Sequence, residues 1–167
     1  MPLKDLYSGV LWLLDGCPYE TMDLLAQHLQ DPSPSIQAIA IVGLWKYLTW
    51  IELSILEIPE IPKLVAPLCW LLESDLPEYL LNEVLWIIIN LTYESQEPIL
   101  FELIKQGCLD QLIEIFKSEK SICTLSSCLR CISHFITEND LWKSVLNQTD
   151  VLPLAIELFS YVPSGTK

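Results

Sequence analysis

Two sets of side chains in this sequence have types and spacing that could do chemistry, and both fall on stretches with helical periodicity. The first is Trp86 with Asn90, and at matching points of an earlier stretch Trp45 with Thr49. Residues four apart share one helix face, one turn up. An indole face attracts an ammonium group and covers the aliphatic stem of a lysine. The Asn amide offers both a donor and an acceptor, so it can hold an extended peptide by its backbone. Glu83 lies one turn before Trp86 and is placed to meet the same cation, with Asn82 beside it. This is chemistry of recognition, directed at a basic peptide.

The second set is Cys123, Cys128, Cys131 and His134, which raises the question of zinc. All four sit on one predicted helix. At about 100° per residue, Cys128, Cys131 and His134 spread over roughly 120° and two turns, and Cys123 points elsewhere. A rigid helix cannot wrap a tetrahedral ion with these alone, so the expectation is small thiols in a crowded inter-helix core and no metal or other cofactor. Catalysis finds little support. The chain has two His (His28 and His134), five Gly, no Gly-x-Ser-x-Gly and no phosphate-cradling Gly loop. Carboxylates such as Glu73, Asp75, Glu78, Glu94 and Glu97 fall on predicted solvent faces and helix ends. The chain is not expected to be an enzyme.

The elements that must position these residues are helices almost throughout. The apolar spacing predicts helices over 5–15, 20–30, 34–50, 51–58, 62–73, 77–93, 97–106, 108–118, 121–137, 139–147 and 150–161. Prolines at 18, 32, 34, 59, 62, 77, 98 and 163 punctuate them, and Pro67 and Pro153 are read at or near helix starts. No period-two strand is found, and the single Asp-Gly pair, Asp15-Gly16, reads as a helix stop. Trp50, Trp70 and Trp142 are assigned to core or inter-repeat packing. The long helices also repeat. Val10-Leu11-Trp12, Gly43-Leu44-Trp45, Val84-Leu85-Trp86 and Cys128-Leu129-Arg130 align at spacings of 33, 41 and 44 residues. Two of these match the roughly 40–47 residues of armadillo and HEAT repeats. Within a unit the order is short, medium and long helix. Gly107 permits the tight turn between the first two, where a side chain would clash.

The chain is 167 residues, 51% hydrophobic and 19% charged, with a mean hydropathy of +0.39. That composition excludes intrinsic disorder. Nine Lys+Arg against 22 Asp+Glu give a net charge of −13. Nine scattered cations do not make a phosphate-binding face, so no nucleic-acid partner is expected, and anionic membrane surfaces are disfavoured for the same reason. A basic protein or peptide is the natural complement. No apolar stretch approaches the roughly 18 residues of a membrane span, and the start of the chain does not read as a signal peptide. Six irregularly spaced Cys fit reduced thiols in a cytoplasmic or nuclear protein better than a disulfide framework. The sequons at Asn90 and Asn147 then read as coincidental.

On these residues the chain resembles the armadillo-repeat proteins, and importin-alpha in particular. Asn82-Glu83-Val84-Leu85-Trp86-Ile87-Ile88-Ile89-Asn90-Leu91-Thr92 is similar to the third helix of an importin-alpha repeat, and Lys105-Gln106-Gly107-Cys108-Leu109 to its inter-helix turn. The resemblance implies an all-α, armadillo/HEAT-like right-handed α-solenoid of about four repeats over 1–162, with a tail at 163–167. It also implies binding of nuclear-localisation peptides rich in Lys and Arg along an acidic concave groove. Carried over by position, the Trp places hold Trp12, Trp45, Trp86 and Arg130, and the Asn places hold Gly16, Thr49, Asn90 and His134. Arg130 is expected to repel a lysine at its step. Only Lys4 precedes the first predicted helix, where the family has a basic segment, and the family's array is longer. A shortened or divergent relative is therefore expected.

Two functions follow as expectations. The first is a peptide-binding, importin-alpha-like interaction module that uses Trp45, Thr49, Asn82, Glu83, Trp86, Asn90, Arg130 and His134. The second is a structural armadillo subunit packed into a larger multiprotein assembly without peptide-transport activity, suggested by the high apolar fraction and by ends without obvious polar capping repeats.

Overall fold

A computed structural model describes residues 18–50, 61–93, 97–118 and 121–137, together with the helical positions Pro153 and Ile156. The predicted helices over 5–15, 51–58 and 139–147, most of 150–161, and the tail at 163–167 lie outside the described residues. Among the described residues there are seven helices and no strand: α1 (Pro18–His28), α2 (Pro34–Trp50), α3 (Ile61–Glu73), α4 (Glu78–Tyr93), α5 (Glu97–Lys105), α6 (Cys108–Lys117) and α7 (Ile122–Thr137). The fold is all-α.

Proline and glycine set most boundaries. Pro18 and Pro34 are the first residues of α1 and α2, and Pro77 immediately precedes α4, where a missing N–H costs little. The turn into α2 is built by Asp31, whose Oδ1 accepts the Ser33 N–H at 2.8 Å while Oδ2 meets His28 Nδ1 at 3.1 Å. The Ser33 hydrogen bond, aided by His28, holds the Asp31 carboxyl below its usual range. Between α5 and α6, Gly107 takes φ 82°, the left-handed conformation that favours glycine. Space is open around it, and a Cβ built there meets nothing within 4 Å. The expected clash is thus absent, and backbone strain alone selects glycine.

Pro67 differs from its sequence reading. It sits in the interior of α3, not near its start. An interior proline costs roughly 3 kcal/mol. The helix persists because Ile61, Leu64, Val65, Leu68, Leu71 and Leu72 are all buried, each worth about 1.5–3 kcal/mol. Trp70 is a second difference. It is 42% exposed, since the buried pairs Leu68-Cys69 and Leu71-Leu72 face the core on either side of it.

The helices pack in a repeating pattern. α2 packs on α4 and α4 on α7, while α1 packs on α3 and α3 on α6. Rungs join the two rows: α1 with α2, α3 with α4, and α6 with α7. α5 bridges α3 and α6. The core runs along both rows, from Met22, Leu29 and Leu44 through Leu64, Leu85 and Ile88 to Leu112, Cys131 and Phe135. Small thiols occupy the helix crossings. Cys128 Sγ–H donates to the Leu112 carbonyl at 2.8 Å and Cys131 Sγ–H to the Leu85 carbonyl at 3.5 Å. No described helix is long and apolar enough to cross a membrane.

Candidate functional site

α4 is the middle helix of its row, and three neighbours cover most of it. Leu80, Leu81, Val84, Leu85, Ile87, Ile88, Ile89, Leu91 and Thr92 are buried. One stripe stays open: Tyr79, Asn82, Glu83, Trp86, Asn90 and Tyr93. Trp86 is 41% exposed, and Asn90, one turn further on, is half-buried. The Trp86–Asn90 pair is therefore presented on an open face. On α2, Trp45 is half-buried and leans on the core, and Thr49 is exposed with its hydroxyl donating to the Trp45 carbonyl at 2.8 Å. On α7, Arg130 is exposed and His134 half-buried.

The α4–α7 seam brings together several residues that are far apart in sequence. The Arg130 guanidinium lies over the Trp86 indole, 5.6 Å from its centroid, within cation–π range. Beside it, Thr92 Oγ1 and His134 Nδ1 are 2.8 Å apart, and the Tyr93 and His134 rings are 5.9 Å apart. Burial, and then the charge of Arg130, holds the His134 imidazole below its usual pKa. At the other end, Asn82 Nδ2 donates to Thr124 Oγ1 at 3.0 Å and to the Glu78 carbonyl at 3.1 Å. Thr124 Oγ1–H donates to Glu78 Oε1 at 2.6 Å, and the same carboxylate accepts the Ser121 N–H at 2.8 Å. Glu78 thus helps cap the start of α7 from another helix. The Asn82 amide is engaged in this network, whereas that of Asn90 makes no hydrogen bond among the described residues.

The ionisable groups on this face are few. Glu83 is partly buried, which raises its carboxyl above the usual pKa, and the charge of Lys46 from α2 opposes that rise. The described charges here are Lys46, Glu78, Glu83 and Arg130, which balance. The excess acid of the described chain lies elsewhere, on Asp75, Asp110 and Glu114 for example. Cys123 is exposed while Cys128 and Cys131 are buried, so the Cys-rich helix divides its thiols between two faces. No group of three or more metal-ligating side chains gathers among the described residues.

Sequence reasoning missed Tyr79 and Tyr93. They stand seven residues either side of Trp86, 66% and 71% exposed, and form one aromatic stripe along α4. The signal was available as a seven-residue aromatic spacing. Lys46 beside Glu83 and Thr124 beneath Asn82 were also missed, because no local pattern marks them.

No protein-family model matches the chain, and no curated protein matches it significantly.

Proposed function

We propose that this chain is a protein–protein interaction module, a short armadillo/HEAT-like α-solenoid in which α2, α4 and α7 act as successive third helices. On this reading it is importin-alpha-like. It holds an extended basic peptide of the nuclear-localisation type across the open face of these helices, in a cytoplasmic or nuclear setting. The observation that carries the reading is Trp86 exposed on α4 with Asn90 one turn above it. The indole, with Arg130 over it, supplies an aromatic contact surface, and the amide a grip on peptide backbone. Half-buried Trp45 and exposed Thr49 offer a weaker step of the same kind on α2. The net charge of −13 draws basic segments from a distance.

The test is anisotropy of a labelled Lys-rich peptide titrated with the full chain at two salt concentrations. Binding that weakens with salt and is lost in Trp86→Ala and Asn90→Ala is expected. Affinity unchanged in both variants would overturn the reading.

One observation favours a second reading, that of a structural subunit packed into a larger assembly. Large apolar side chains are exposed away from the α4 stripe as well, at Leu24, Trp70 and Phe101. Such scattered patches suit burial against several neighbours. This reading expects the isolated chain to self-associate in analytical ultracentrifugation, and a stable monomer would remove it.

A further inference from the structure

The cation over Trp86 is the chain's own. Arg130 places its guanidinium 5.6 Å from the indole centroid, where an incoming lysine would otherwise sit. A second cation there meets like-charge repulsion and a platform already covered. The guanidinium itself is still able to bind. Arg130 is exposed, and no described carboxylate pairs with it, unlike Lys63, Lys105 and Lys117, which meet Asp23, Glu102 and Glu114. A guanidinium held over an aromatic face by cation–π attraction still has N–H groups to offer, in the fork geometry that takes a carboxylate by two hydrogen bonds.

We propose that Arg130 determines specificity at this step: seated on Trp86, it excludes lysine and receives a carboxylate, so the segment bound carries one Asp or Glu among its basic residues. The inference rests on the peptide-binding reading above. On the α2 side, Lys46 is near enough for its charge to act on Glu83. Arg130 is therefore the cation of this face that stands away from any described carboxylate.

The experiment is a walk of single Lys→Glu replacements through a Lys-rich peptide, each peptide titrated against the wild-type chain, Arg130→Gln and Lys46→Gln. Arg130→Gln keeps much of the side-chain stem over the indole and removes the charge. One register is expected in which Glu tightens wild-type binding about fivefold, the upper end for an exposed ion pair. That gain is expected to vanish in Arg130→Gln and persist in Lys46→Gln. A gain at no register, a gain that survives Arg130→Gln, or equal loss in both variants overturns the inference while leaving peptide binding intact. If no peptide of the series binds, the groove reading fails and the inference falls with it.

Discussion

His134 Nδ1 lies 2.8 Å from Thr92 Oγ1, across the seam between α7 and α4. The same hydroxyl donates to its own helix at the Ile88 carbonyl, 2.7 Å away, an arrangement that suits the tautomer with the proton on Nδ1. Burial and the neighbouring Arg130 depress the imidazole pKa. A depressed histidine stays neutral in the fold while the unfolded chain takes up a proton near pH 6.5. Stability from this site is present above that pH and declines as pH falls toward the lower folded pKa. Melting temperature measured between pH 7.5 and 5 should therefore drop, and His134→Gln should flatten the drop. A parallel decline in the variant would assign it to other groups.

Thr124 is fully buried and joins Asn82 to Glu78. Thr124→Val keeps the shape and removes these bonds together with the 3.1 Å contact to Ser121 Oγ. It should cost about 1–3 kcal/mol in urea unfolding, the range for losing hydrogen bonds of which one goes to a charged carboxylate. Asn82→Ala combined with Thr124→Val should cost less than the sum of the two, because both remove the same bond.

Gly107 is selected by its backbone angle and not by crowding. Gly107→Ala should destabilise by about 1–2 kcal/mol, and Gly107→Asn by less, since asparagine tolerates the left-handed region better. Equal losses for the two would point to a contact that the turn does not show.

Trp86 and its neighbour Leu85 make a controlled pair. Leu85 is wholly buried, and Leu85→Ala should cost about 2–5 kcal/mol. Trp86 is partly exposed and its specific contact is Arg130, so Trp86→Ala should cost about 1 kcal/mol, in the range of an exposed cation–π pair. A larger loss would mark Trp86 as a packing residue and weaken its place in the groove.

The thiols should separate by reactivity. Burial pushes the Cys128 thiol up to about 12 and raises that of Cys131 well above its usual value, while Cys123 is exposed. Cys69 differs in direction, lowered mainly by a hydrogen bond from Cys108, yet it is buried. Native alkylation at pH 8 followed by mass spectrometry should label Cys123 first among the described cysteines, with Cys69, Cys108, Cys128 and Cys131 protected until urea is added. Early labelling of Cys131 would mean that α7 opens locally.

The helices were legible because apolar periodicity, proline and one glycine all mark the same boundaries. The predicted 34–50 matches α2, and 108–118 exceeds α6 by one residue. Pro67 misled because local rules price an interior proline without counting the leucines that bury around it. The exposed Trp86–Asn90 pair could be read because it depends only on four-residue spacing within one helix. Arg130 was legible as a charge in the wrong place, but not as a partner of Trp86. That contact joins residues 44 apart and depends on how α4 and α7 register. The Glu78 cap on α7 escaped for the same reason, since its residues are neighbours only after α4 and α7 pack together.

Two of the side-chain bonds from α4 to α7, Asn82 to Thr124 and Thr92 to His134, each span 42 residues. Equal offsets ten residues apart mean that the helices run parallel and are riveted at two points about 15 Å from each other. One rivet would leave a pivot. Two resist scissoring, so polar side chains at both ends of the seam help to set the angle between α4 and α7.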